Sequence, residues 1–241
     1  MKKTIRLLTF MAMGAALAFT ACGKDDDNDN NGDNGGGNTG GGTGGTETVE
    51  WVDLGLPSGL LWAKCNLGAT TPEGHGDYYA WGETATKEVY NWSTYKYCTV
   101  DAEGSLQTLT KYNTSTTYGT PDNLTTLQAI DDVAAQKLGD GARMPTKEDW
   151  EELLDKTTAE WTTLNGVAGR KFTAANGNSL FLPAAGNHYG SEGEFGYSWS
   201  SSLDESDPDL AWGFYFVEGY QSMNGGSRDY GFTVRAVRSA R

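Results

Sequence analysis

The side chains best suited to chemistry in this 241-residue chain are carboxylates and tyrosines. Residues 203–210, LDESDPDL, concentrate Asp204, Glu205, Asp207 and Asp209. Calcium takes about six to eight oxygen ligands, and such a loop could supply some of them; a solvated acidic loop has the same composition. Glu192 and Glu194 lie near aromatics, and paired carboxylates cleave glycosidic bonds when their spacing is right. Nothing in the sequence sets that spacing. There is no G-x-S-x-G nucleophile turn. His75 and His188 are isolated, so no zinc-ligand spacing exists. Cys65 and Cys98 could pair in an exported protein, or stand as two separate buried thiols. The expectation is a protein without catalytic residues, metal or cofactor.

Binding chemistry reads better. In residues 212–217, WGFYFV, Trp212, Phe214 and Phe216 share one face of a strand, and Gly213, Tyr215 and Val217 share the other. The first face suits a core. Tyr215 is then exposed, followed by Tyr220, Ser222 and Asn224 in the next turn. Rigid amphipathic rings with short polar groups are what adaptable binding surfaces use. Asp229 and Tyr230 could join the same face, and Tyr189, with Glu192 and Glu194, could form its rim. A solvated strand edge with a Tyr-rich half-core, beside a plain mobile loop, is the alternative.

These groups must be positioned by residues 49–241. Residues 51–54 and 60–65 read as short strands split by a Leu-Pro-Ser-Gly turn. Residues 66–98 read as a long loop region pinned by aromatics. Residues 124–138 place Leu124, Leu127, Ile130, Ala134 and Leu138 at helical spacing, with Gly139 as the stop. A second helix starts after Thr146, a good N-cap, with Glu148 and Asp149 at its positive end. Residues 161–164, 170–174, 179–183, 197–201, 212–217 and 232–237 read as strands. Two helices followed by many short strands indicate α+β. Asp131 and Asp132 read as surface or capping residues. Arg143 and Arg235 read as making structural ion pairs or carbonyl contacts.

Composition narrows the class. The chain has 33 Gly against 6 Pro, with no collagen period. Its 32 acidic and 18 basic residues give a net charge of −14, which argues against nucleic acid as a partner. With 8 Trp, 12 Tyr and 8 Phe, much of it must fold.

Residues 1–21 carry Lys2, Lys3 and Arg6 before a short apolar run, the pattern of a secretory signal peptide. Removing their three positive charges takes the net charge from −14 to −17. The run ends at Phe19-Thr20-Ala21-Cys22, which resembles a bacterial lipobox and implies lipidation of Cys22. Gly23-Lys24-Asp25-Asp26-Asp27 resembles the surface-export signal of Bacteroidetes lipoproteins. Ten of the 33 glycines lie in residues 23–46, so residues 22–48 read as a lipidated Cys and a disordered, flexible Gly/Asn/Asp tether. The tether's reach is roughly 25–30 Å. The expected location is the outer membrane, facing outward, anchored through Cys22.

Residues 52–63 (VDLGLPSGLLWA), 76–83 (GDYYAWGE), 143–146 (RMPT), 180–186 (LFLPAAG), 198–202 (SWSSS) and 230–237 (YGFTVRAV) occur in that order. Together they resemble the Fibrobacter succinogenes major paralogous domain family, common in surface lipoproteins of gut Bacteroidetes. The family's usual R-P-V near the end is Arg235-Ala236-Val237 here. The resemblance implies a C-type-lectin-like fold, related to the formylglycine-generating enzyme and to the variable proteins of diversity-generating retroelements. It implies that first and last strands pair, that two helices pack on the short antiparallel strands, and that late strands and loops present the binding face. The enzyme's chemistry needs a late Cys pair, and no Cys follows Cys98. The resulting expectation is a surface lipoprotein that binds an extracellular glycan or protein, its late strands open to retroelement diversification. A structural or adhesive subunit, such as a fimbrial tip, and a carbohydrate-active enzyme are the alternatives.

Overall fold

The computed structural model describes residues 49–240. The segments read as signal peptide, lipidated Cys22 and tether lie outside the described residues. Small antiparallel sheets dominate and only two helices accompany them, so the fold is mixed and β-rich. Among the described residues no helix is long and apolar enough to cross a membrane.

Strand β1 (Trp51–Asp53) turns through Gly59, whose φ of 68° suits glycine, into β2 (Leu60–Ala63). The last strand, β11 (Val237–Ser239), pairs antiparallel with the other edge of β2, so the first and last strands share a sheet but do not pair directly as expected: β2, arriving through the tight turn after β1, lies between them. A strand over 232–237 is not formed. Phe232 bridges Tyr79, Thr233 bridges Ser198, and the ladder starts only at Val237. The reason is Arg235, which is fully buried. Its guanidinium donates to the carbonyls of Ala63, Lys64 and Phe181 and to Asn66, holding the backbone between layers rather than in one sheet. The expected carbonyl contacts of Arg235 are therefore present.

Residues 66–98 thread irregularly, and their rings are internal. Tyr79, Trp81, Tyr90 and Tyr95 are buried, and the Trp81 and Trp199 indole N–H groups donate to the carbonyls of Ser200 and Tyr79, each at 2.8 Å. Two unexpected short strands follow, β3 (Cys98–Val100) and β4 (Leu106–Leu109). Cys65 and Cys98 are both free thiols; the Cys98 thiol donates to the Trp92 carbonyl.

The helix read over 124–138 shrinks to α1 (Val133–Leu138). Its apolar spacing is a coincidence: Ile130 is 63% exposed, and the Leu127 N–H goes to the Ser201 carbonyl. Asp132 is the true N-cap, accepting from the N–H groups of Ala134 and Ala135. Asp131 is a correction: it is neither surface nor cap but buried beneath Tyr97, Tyr112 and Lys111. Helix α2 (Lys147–Lys156) forms as read, with a capping box between Thr146 and Asp149. Arg143 pairs with Asp149 at 2.6 Å. Trp150 is fully buried, its ring 4.8 Å from Trp62 and 5.2 Å from Phe214.

The remaining strands are β5 (Thr157–Leu164), β6 (Val167–Ala174), β7 (Ser179–Pro183), β8 (Gly196–Leu203), β9 (Leu210–Val217) and β10 (Tyr220–Ser227). They make two three-stranded sheets, β5-β6-β7 and β8-β9-β10. Tyr220, Ser222 and Asn224 thus lie on a strand, not in a turn. Only Glu218 and Gly219 turn, because all of β10 finds backbone partners along β9.

Candidate functional site

The β8-β9-β10 sheet carries the candidate face. Phe214 and Phe216 point to the core beneath α2 and are fully buried, as the alternation requires. Trp212, on the same side, is only half-buried, with the Lys147 ammonium 3.8 Å from its ring centre. On the opposite side the register aligns Tyr215 with Ser222, Val217 with Tyr220, and Gly213 with Asn224. Residues that strand period alone could not relate to each other become direct cross-strand neighbours. On β8, Tyr197 lies opposite Tyr215. A Cβ on Gly213 would sit 2.2 Å from the Tyr197 ring, so glycine there lets that ring lie across the sheet. The Tyr197 hydroxyl donates to the Asn224 carbonyl at 2.6 Å, and Phe232 stacks on its ring at 4.0 Å.

Tyr215 is half-buried rather than exposed, because Phe195 and Tyr197 flank it at 5.8 and 6.1 Å. Burial, then the neighbouring Tyr220, pushes its phenol upward in pKa. Tyr220 is 58% exposed, Asn224 is exposed and Ser222 half-buried. Clefts of about 330, 430 and 350 Å³ open elsewhere, and their linings include none of these four residues.

Two candidates fall away from it. Asp229 is only 3% exposed, because the chain turns inward after β10; its carboxylate accepts from the Ser227 hydroxyl, and burial pushes its pKa up. Tyr189 is 63% exposed but tied elsewhere, its hydroxyl donating to the Tyr90 carbonyl and its ring 5.4 Å from His188. Among the described residues no ring contact links it to Tyr215 or Tyr220.

Sequence reasoning missed the residue that holds the face. Arg170 on β6 donates to the carbonyls of Val217 at 2.5 Å and Glu218 at 2.9 Å, and to Gln221 Oε1 at 2.7 Å. One guanidinium from another sheet thus fixes the β9–β10 turn that presents Tyr220. An Arg inside a short strand was the available signal, but its partners lie roughly fifty residues away.

The 204–209 loop is knitted to itself. Asp204 accepts from the Ser206 N–H and hydroxyl, at 3.1 and 2.7 Å. Among the described residues no three His, Cys, Asp or Glu side chains converge as a metal-ligand set. Burial, with a hydrogen bond to Asp207, pushes Asp209 up to about 7. The unfolded carboxyl titrates near about 3.9, so this group favours folding while protonated in the native state. Its contribution is full below about 3.9 and is lost as pH rises through about 7. Thermal denaturation between pH 5 and pH 8 should show higher stability at pH 5, and Asp209→Asn should flatten that limb. An unchanged slope in the variant would place the titration elsewhere.

No family model, no curated protein and no solved structure matches this chain.

Proposed function

We propose that residues 49–241 form a C-type-lectin-like domain that binds an extracellular glycan or protein through Tyr215, Tyr220, Ser222 and Asn224. The observation that carries this reading is the β9–β10 register, which sets those four side chains on one side of the sheet, with Tyr220 and Asn224 exposed and Tyr215 and Ser222 half-buried beside them. The pairing of β11 with β2 and the ordered motifs support the fold assignment. The signal peptide, the Cys22 lipobox and the tether support display on an outer membrane. Acyl chains contribute about 0.8 kcal/mol per buried CH2, so a multiply acylated Cys22 anchors durably. Metabolic fatty-acid labelling that leaves Cys22 unmarked would remove the anchor from this account.

Binding is tested by screening the full chain on glycan and extracellular-protein arrays. Tyr215→Ala with Tyr220→Ala is expected to lower affinity about 30-fold or more, since truncated aromatic anchors typically cost about 2 kcal/mol or more. Tyr220→Ala alone should keep the parent's circular dichroism and still lose affinity, because Tyr220 is 58% exposed, whereas Tyr215 also packs against Phe195 and Tyr197. Retained affinity would show that the ligand sits on another surface.

A further inference from the structure

We propose that the Tyr face is built for a cationic partner, a polypeptide surface presenting Arg or Lys side chains. This rests on the reading of that face as the binding site and names its ligand class. Three observations lead there.

The first is charge. Between Lys171 and Arg228 the chain runs 56 residues without a single Lys or Arg, and carries seven acidic residues. This stretch makes β7 to β10 and the loops at both ends of the sheet. Glu192, Glu194 and Glu218 belong to the end where β8 begins, β9 ends and β10 begins, the end that presents Tyr220. The 204–209 loop puts further carboxylates at the opposite end. The face therefore lies between two acidic margins.

The second is pairing. Glu192, Glu194 and Glu218 are all exposed, and none of their carboxylates has an ion-pair or hydrogen-bond partner among the described residues. Arg170, which reaches this end of the sheet, donates to the carbonyls of the β9–β10 turn and to Gln221. Carboxylates left unpaired beside a binding surface complement positive charge and speed its approach.

The third is the rings. Elsewhere the chain covers its aromatics with its own cations: Lys96 over Tyr97 at 4.7 Å, Lys111 over Tyr112 at 4.9 Å, and Arg228 over Trp81 at 4.9 Å. No Lys or Arg of the described chain lies over Tyr215 or Tyr220. A guanidinium or ammonium arriving from a partner would find an electron-rich ring face and carboxylates within one surface.

The test uses the full chain in detergent and three probes: a dodecapeptide of alternating Arg and Ser, its citrulline counterpart, and cellohexaose. The Arg peptide should bind, with affinity falling as salt rises, and the neutral citrulline peptide should bind at least about tenfold more weakly. Changing Glu192, Glu194 and Glu218 together to Gln should weaken the Arg peptide about three- to tenfold, the scale of a few exposed charge pairs. The same charge change on α2, with Glu148→Gln, Glu151→Gln and Asp155→Asn, should leave affinity within about twofold, because α2 packs on the core side of the sheet. Equal losses in the two triple variants, or equal binding of the Arg and citrulline peptides, would overturn the proposal. If cellohexaose binds without salt dependence and only Tyr220→Ala removes it, the face stands and the cationic preference falls. If neither the Tyr nor the Glu changes matter to any probe, both fall.

Discussion

Arg228→Ala should remove about 4 kcal/mol or more of folding stability, the sum of stranded carbonyls and a cavity. Arg228 is fully buried. Its Nε donates to the Tyr95 hydroxyl, and its terminal nitrogens donate to the carbonyls of Tyr112, Pro208 and Lys111 at 2.8–2.9 Å. No carboxylate answers its charge; backbone dipoles and the rings of Trp81, Tyr95 and Tyr112 do. Those partners come from four stretches of chain, around residues 81, 95, 111–112 and 208, so the side chain is the node joining them to the end of β10. Removing it leaves three buried carbonyls without donors, each costing about 1–3 kcal/mol. Domains are stable by only about 5–15 kcal/mol in total, so much of the variant should be unfolded at 37 °C. Arg228→Lys should recover only part of the loss, because three rotatable donors on a point charge cannot match a planar fork. Chemical denaturation of the three proteins measures this directly, and a midpoint for Arg228→Ala near the parent's would refute the role.

The second large effect belongs to Asp131. Lys111 reaches its Oδ2 at 2.5 Å, the Tyr112 hydroxyl at 2.7 Å, and the Tyr97 hydroxyl donates to Oδ1. Burial alone would push this carboxyl up, but the Lys111, Tyr97 and Tyr112 hydrogen bonds outweigh it and hold it at about 2. Removing one partner of a buried ion pair costs about 3–5 kcal/mol. The Lys111 side chain keeps 23% of its exposure, so its charge is partly screened and the lower part of that range applies. Asp131→Ala is therefore expected to cost about 3 kcal/mol, or about 6–12 °C in Tm for a domain of this size. The pH dependence has a definite sign. The folded carboxyl titrates below its unfolded value of about 3.9, so its stabilisation is full above that pH and fades as pH falls toward 2. Asp131→Asn should lack that acid limb. An unaltered acid limb would show that other carboxylates control it.

The two effects explain which parts of the fold the sequence could reveal. Helix α2 was legible because its signals are local: Thr146 and Asp149 cap it, and Trp150 and Leu153 fill its buried side. Strand β9 was legible because strict alternation separates Phe214 and Phe216 from Tyr215. Strand β10 was not. YQSMNGGS has the composition of a turn, and it is a strand only because β9 offers a full ladder. The 124–132 segment failed the opposite way: its residues fall at helical spacing by coincidence, while Asp131 and Leu127 are claimed by partners on other segments. Among the buried cations Arg235 was legible, but Arg170 and Arg228 were not. Most of the hydrogen bonds of Arg170 and Arg228 go to carbonyls that any residue supplies, so no side-chain pattern marks them.

The candidate site shows the same division. Tyr215, Tyr220, Ser222 and Asn224 could be grouped from residue type and spacing, and the register then placed them side by side. Asp229 could not be sorted, since adjacency to a strand end says nothing about whether the chain turns inward.

A ligand bound on this face must cover Tyr220 and Tyr215. Nitration of the full chain, read tyrosine by tyrosine by mass spectrometry with and without an array-selected ligand, tests it most directly. Ligand should slow modification of Tyr220 and Tyr215 several-fold while Tyr118, tied to Asp207 at the other end of the sheet, reacts as before. Unchanged modification of Tyr220 under saturating ligand would contradict it.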